Sequence, residues 1–200
     1  MTPGESQLSP ALESLIDAIG EESTWPGAGA GSGMVVALAS GLIEAAARKS
    51  SPEWDEAGGV IAQAAALRRR GLRLARQNAE AHLAARVALD TTPPETRREQ
   101  EIADIHLGDA LTTAADLPIA IAEAAVDAAE LGALTAERGT HDARADAAGA
   151  AALAAGAAVA AAHLVEVNLS TQPGDARLER ARALVSSARS TSERALGGSA

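Results

Sequence analysis

WPGAGAGSGMVVALASGLIEAAARKS, Trp25 to Ser50, is the stretch on which the reading of this chain turns. It opens with Pro26 and then sets glycine at every second position: Gly27, Gly29, Gly31 and Gly33. Glycine tolerates φ > 0 and lets another group come close to the backbone. A helical segment of small residues follows at once. The first turn of a helix has N–H groups without intrahelical partners and carries the positive end of the dipole. A glycine run entering such a turn suits an anion or a carbonyl. No strand precedes the run and the G-x-G-x-x-G spacing is absent, so it is not a dinucleotide fingerprint. No Gly-Lys-Ser/Thr follows, so it is not a P-loop. The plainer reading is a flexible loop that permits close helix packing.

On either side of this stretch the pattern is helical. Ser9 and Pro10 supply a cap and a first-turn proline, and Leu12, Leu15, Ile16 and Ile19 form an apolar stripe that Gly20 ends. The loop Glu21–Gly31 is expected to lead into a second helix over about 33–49. Ser51-Pro52 is expected to cap a third, long helix reaching Leu89, with Gly58-Gly59 and Gly71 as weak points. Thr91 to Glu95, TTPPE, breaks the chain. A helical pattern resumes at Thr96 and runs to about Glu137, with Pro118 kinking or splitting it. Gly139-Thr140 ends it. Asp142 begins another long helix to about Ser170, Gln172-Pro173-Gly174 stops that one, and a last helix covers Asp175 to Leu196. The ends, 1–8 and 197–200, are expected to be flexible.

Fifty-two of the 200 residues are alanine, and Phe and Tyr are absent. Alanine is the best helix former, and no strand-like alternation persists. The expected fold is therefore all-α: one domain, an antiparallel bundle of about six helices. A GC-rich coding sequence accounts for part of the alanine excess, since Lys49 stands alone against sixteen arginines. A core without large aromatics is thin, which favours a homodimer or higher homo-oligomer. The net charge of −10 argues against nucleic acid. No cysteine is present, so disulfides and thiolate metal sites are excluded, and a cytoplasmic location is expected. The N-terminus does not read as a signal peptide, and the uncharged run 147–162 is shorter than the ~20 apolar residues of a membrane span. No membrane partner is expected.

Several polar residues are candidates on their own chemistry. Asn78 and His82 are i, i+4 and share a helix face, whereas Glu80 points elsewhere. The ordinary reading is a solvated face; the sharper one uses His82 to move protons near neutral pH. Asp146 in the first turn of its helix is stabilised by the dipole, with capping its default role. Asn168 near a helix end can satisfy backbone carbonyls. Arg68, Arg69, Arg70, Arg73 and Arg76 form a basic stretch, ordinarily a solvated face paired with acids elsewhere. His82, His106, His141 and His163 show no H-x-x-x-H pair, so no metal site is expected.

Together, the glycine stretch, LPIAIAEAAVDAAEL (Leu117 to Leu131) and RADAAGAAALAAGAAVAAAHLVEVNL (Arg144 to Leu169) resemble the cyclodeaminase/cyclohydrolase family of folate enzymes. That family comprises formiminotetrahydrofolate cyclodeaminase domains and methenyltetrahydrofolate cyclohydrolases. The resemblance runs from about Ser9 to Leu196. It implies a tetrahydrofolate derivative as substrate, acid/base chemistry at the carbon bridging N5 and N10, and no metal or redox cofactor. It implies His82 and Asp146 as catalytic groups, with Gly27, Gly29, Gly31, Ser32, Asn78, Thr140 and Asn168 binding substrate in one pocket, at a subunit boundary if the chain is oligomeric. The basic stretch is then a landing site for a glutamate tail. The sequence departs from the family in two places. The family's Asp-Ala-x-Ala-aromatic pattern reads Asn78-Ala79-Glu80-Ala81-His82, and its Gly-Asn reads Gly139-Thr140. The alternative is a helical dimer or folate-binding relative that has lost the chemistry.

Overall fold

A computed structural model describes residues 10–21, 27–89 and 96–197. The chain is all-α, and the described residues form seven helices: α1 (Pro10–Glu21), α2 (Gly27–Ser50), α3 (Ala57–Leu89), α4 (Arg97–Ala114), α5 (Asp116–Arg138), α6 (His141–Asn168) and α7 (Ala176–Gly197). The expected N-terminal tail and the TTPPE break lie outside the described residues. Gly197, counted in the C-terminal tail, is instead the last residue of α7.

The seventh helix arises where Pro118 was expected to act. The pattern 96–137 divides at Ala115 into α4 and α5, and Pro118 sits buried in the first turn of α5. There its missing N–H is no loss, because first-turn donors have no intrahelical acceptor. The helix expected at 33–49 begins six residues earlier: the glycine run is the first two turns of α2, not a loop. Ser51-Pro52 does not cap α3. Residues 51–56 form turns that bury Trp54, and α3 then runs unbroken through Gly58, Gly59 and Gly71.

Helix α3 returns antiparallel along α2, and glycine sets the spacing. A Cβ on Gly33 would lie 2.9 Å from the Ala75 backbone nitrogen, and one on Gly71 would lie 2.8 Å from the Gly33 carbonyl oxygen. On the other side, α5 and α6 form a second antiparallel pair with Gly132 against Ala147 and Ala151. Ala46 packs with Ala143 and Ala147, while Val36 packs with Ala155, Ala158 and Ala161, so α6 also runs antiparallel to α2. Helix α7 closes the bundle against α5 and α6, with Leu178 beside Val165 and Ala195 beside Ala147.

Alanine-on-alanine contact replaces the interlocking of large side chains. Buried hydroxyls are satisfied inside their own helices: Ser32 donates to the Ala28 carbonyl at 2.8 Å, Ser40 to Val36 at 2.8 Å and Thr135 to Leu131 at 2.7 Å. Helices α2 and α6 are long and apolar enough to cross a membrane, yet 56% of each apolar window is buried inside the bundle. Their alanine faces lie against neighbouring helices, as core helices do.

Candidate functional site

The N-terminal end of α2 meets the later half of α3. Gly27 is the one residue of positive φ among those described, at 80°, and it starts the helix. A Cβ there would lie 3.8 Å from His82 Cε1 and 3.9 Å from His82 Nδ1. Two residues further on, a Cβ on Gly29 would overlap the Asn78 side chain. Gly29 is thus glycine because the Asn78 amide occupies the volume of its missing side chain. Gly31 has open space where its Cβ would stand. Asn78 is half-buried and its side chain makes no hydrogen bond among the described residues, while His82 is exposed. The first-turn N–H groups of α2, the Asn78 amide and an accessible imidazole therefore converge at one end of the α2/α3 pair.

Ser32 does not join them. It is 5% exposed, and its hydroxyl proton is committed to Ala28. The helical path turns Gly31 outward and Ser32 into the core.

Thr140 lies at the opposite end of α2. Its backbone N–H donates to Ser50 Oγ at 3.0 Å, and the two hydroxyls are 3.4 Å apart. Gly139 is needed there, since a Cβ would sit 2.8 Å from Ser50 Oγ. A 24-residue helix is ~35 Å long, which separates Thr140 from Gly27. Asp146 belongs to the Thr140 end. It is exposed in the second turn of α6, not the first, because α6 begins at His141. Lys49 binds the same helix start, donating to the Asp142 carbonyl at 3.2 Å. Along the bundle axis Asp146 stays ~25–30 Å from Gly27. Asn168 is at the far end of α6, where Nδ2 donates to the Ala114 carbonyl at 3.2 Å and ties the α4–α5 junction to α6. Within one protomer the candidates thus form two groups, Gly27–Gly31 with Asn78 and His82, and Thr140 with Asp146; they do not share a pocket.

The basic stretch of α3 also divides. Arg68 pairs with Glu44 at 3.3 Å, and Arg70 pairs with Asp127 at 3.0 Å and Glu123 at 3.7 Å. Hydrogen bonding from Arg48, with help from Arg68, holds the Glu44 carboxyl below its ordinary value. Arg69, Arg73 and Arg76 form no ion pair among the described residues.

Ser50 is what the sequence reading missed. Ser51 and Pro52 read as a cap for the following helix and Ser50 was given no role, whereas Ser50 anchors a segment ninety residues away. Its periodicity was the available signal: Ser32, Ser40 and Ser50 all fall on the buried side of α2.

The alanine-packed bundle thus sets a glycine-opened helix start against an amide and an imidazole. The chain belongs to the formiminotransferase-cyclodeaminase family, as the model of its C-terminal domain matches residues 11–186. Among solved structures, formiminotetrahydrofolate cyclodeaminase from Thermotoga maritima is similar in fold, with a TM-score of 0.75 at 22% identity over 96% of this chain and 97% of that one. No curated protein matches the chain significantly in sequence.

Proposed function

We propose that the protein acts on the carbon bridging N5 and N10 of a tetrahydrofolate derivative by acid/base chemistry, as a cyclohydrolase or a cyclodeaminase. The observation that carries this is the meeting of Gly27 and Gly29 with Asn78 and His82 in a chain of this family. Cyclohydrolysis adds water to a cationic methenyl carbon and opens the ring to the 10-formyl form, releasing a proton. Cyclodeamination closes the ring and protonates a departing ammonia. Each needs one proton-transferring group and orientation, and imidazole suits that task near pH 7. In this reading His82 takes the proton from the attacking water. The Asn78 amide, which cannot act as a base, hydrogen-bonds the pterin. The open space beside Gly31 and the first-turn N–H groups of α2 admit the substrate's carbonyl. A carboxylate stabilises the bound cation, and Asp146 is the candidate.

Because Asp146 and His82 stand at opposite ends of one protomer, they meet on one substrate only across a subunit boundary. The reading therefore includes a homodimer, in the cytoplasm, with Asp146 and Thr140 of one copy brought to the Gly27–His82 end of the other, the end of the bundle at which α6 closes with Asn168. Decay of methenyl absorbance above the uncatalysed background tests the reading. Calorimetric folate binding without any such decay would favour the non-catalytic relative instead, for which the Asn78 amide in place of a family carboxylate is the motivating observation.

A further inference from the structure

Helix α1 has an apolar stripe that is largely uncovered among the described residues. Leu12, Leu15 and Ile16 are 43%, 37% and 58% exposed, and α1 packs on none of the other six helices among the described residues. An isolated helix of 12 residues is marginal in water, so this one needs a partner to stay folded. The polar residues beside the stripe are acidic: Glu13 and Asp17, one turn apart, pair with no cation among the described residues.

The outer face of α3 has the complementary pattern. Leu72 and Leu83 are 40% and 63% exposed, and the half-buried Ala65 and Ala79 fall in the same row at helical spacing. Beside that row run Arg69, Arg73 and Arg76 at i, i+4, i+7, exposed and free of ion pairs among the described residues. Elsewhere α4 exposes Ile102 and Ile105, but Glu101 and Asp104 stand beside them and would repel the carboxylates of α1. Between these two faces charge complementarity favours α3. A row of guanidiniums alone would suit a free polycarboxylate, whereas guanidiniums alongside an apolar row suit an acidic amphipathic helix.

We propose that α1 is an exchanged arm that lays its Leu12/Leu15/Ile16 stripe on the Leu72–Leu83 row of α3 in a second copy of this chain, with Glu13 and Asp17 on the arginine row. In the lone protomer α1 forms its helix yet stands clear of α3, although its own α3 is close in sequence. A two-fold pair of such contacts buries both arms and both rows at once. The inference rests on the packing and charge of α1 and α3, and it holds or fails independently of the folate reading.

The chain has no cysteine, so introduced thiols report alone. One chain carrying Ile16→Cys is refolded together with a chain of different mass carrying Leu72→Cys or Leu83→Cys, then oxidised. The expected product is a disulfide joining the two different chains. Leu15→Asp with Ile16→Asp should weaken self-association on the order of 100-fold. Glu13→Lys with Asp17→Lys should weaken it less, and Arg69→Glu with Arg73→Glu should restore it. A disulfide that forms only when both thiols are on one chain, at monomer mass, would show α1 on its own bundle and overturn the proposal. A dimer with no cross-link from α1, or a monomer with none, would overturn it equally.

Discussion

Gly31 and Gly33 are two residues apart on α2 and should respond oppositely to the same substitution. Gly33→Ala would place its Cβ 2.9 Å from the Ala75 nitrogen, in a contact between two backbones that cannot yield without separating the helices. Such overpacking costs about 1–3 kcal/mol, read as a lower midpoint in urea. Gly31→Ala meets open space and gains helix propensity, so stability should hold or rise by up to ~1 kcal/mol; a fall as large as that of Gly33→Ala would contradict the close-approach account. Ser50→Ala removes the acceptor for the Thr140 N–H and should cost ~1–3 kcal/mol, again by urea midpoint. For catalysis, His82→Ala should lower turnover ~10²–10⁴-fold with little change in folate affinity, and Asp146→Asn should reduce both. Unchanged turnover in His82→Ala would remove the base assignment while leaving the enzyme reading intact. The sequence showed that Asn78 and His82 share a face, because i, i+4 spacing alone decides it. It did not show that Asn78 fills the space of Gly29, which depends on the register of α3 against α2.

Helix boundaries show what periodicity carries and what it misses. The stripe of α1 and the apolar runs of α2, α5 and α6 were legible because helical spacing and alanine content point the same way. The start of α2 was misplaced because alternating glycine and alanine reads as a loop by propensity. Packing of Gly29 and Gly33 against α3 overrides that preference. The start of α7 is held by a cluster with a testable pH signature. Asp175 accepts from the Arg177 backbone N–H at 2.9 Å and from its guanidinium at 2.7 and 3.0 Å, while Arg177 also reaches Asp116 at 2.6 Å. These hydrogen bonds from Arg177 push the Asp175 carboxyl down to about 2 and raise Arg177 further. A depressed acid stabilises the fold above its unfolded-state value and loses that contribution as pH falls through the folded one. Asp175→Asn should therefore lower stability at neutral pH and flatten the stability loss between about pH 4 and 2. Parallel stability–pH curves for both proteins over that range would show that the cluster does not hold the α7 start.

For the whole molecule, the all-α class followed from alanine content and the lack of strand alternation, and the seventh helix comes from the split that Pro118 signalled, which falls at Ala115. Family membership was legible in the glycine stretch and the two alanine-rich segments. The arrangement of the site was not, because a sequence motif does not reveal that Thr140 and Asp146 fold to the far end of α2 from His82. That separation makes assembly part of the functional claim: a protomer alone has the imidazole and the carboxylate ~25–30 Å apart. Light scattering at micromolar concentration should therefore give a dimer or larger. The most direct test is to mix His82→Ala with Asp146→Asn, each nearly inactive alone, refold them together and follow methenyltetrahydrofolate decay. If the site is shared across a two-fold boundary, random re-pairing restores about a quarter of wild-type activity, since mixed dimers keep one intact site. Activity no higher than that of the two variants measured separately would contradict a shared His82–Asp146 site.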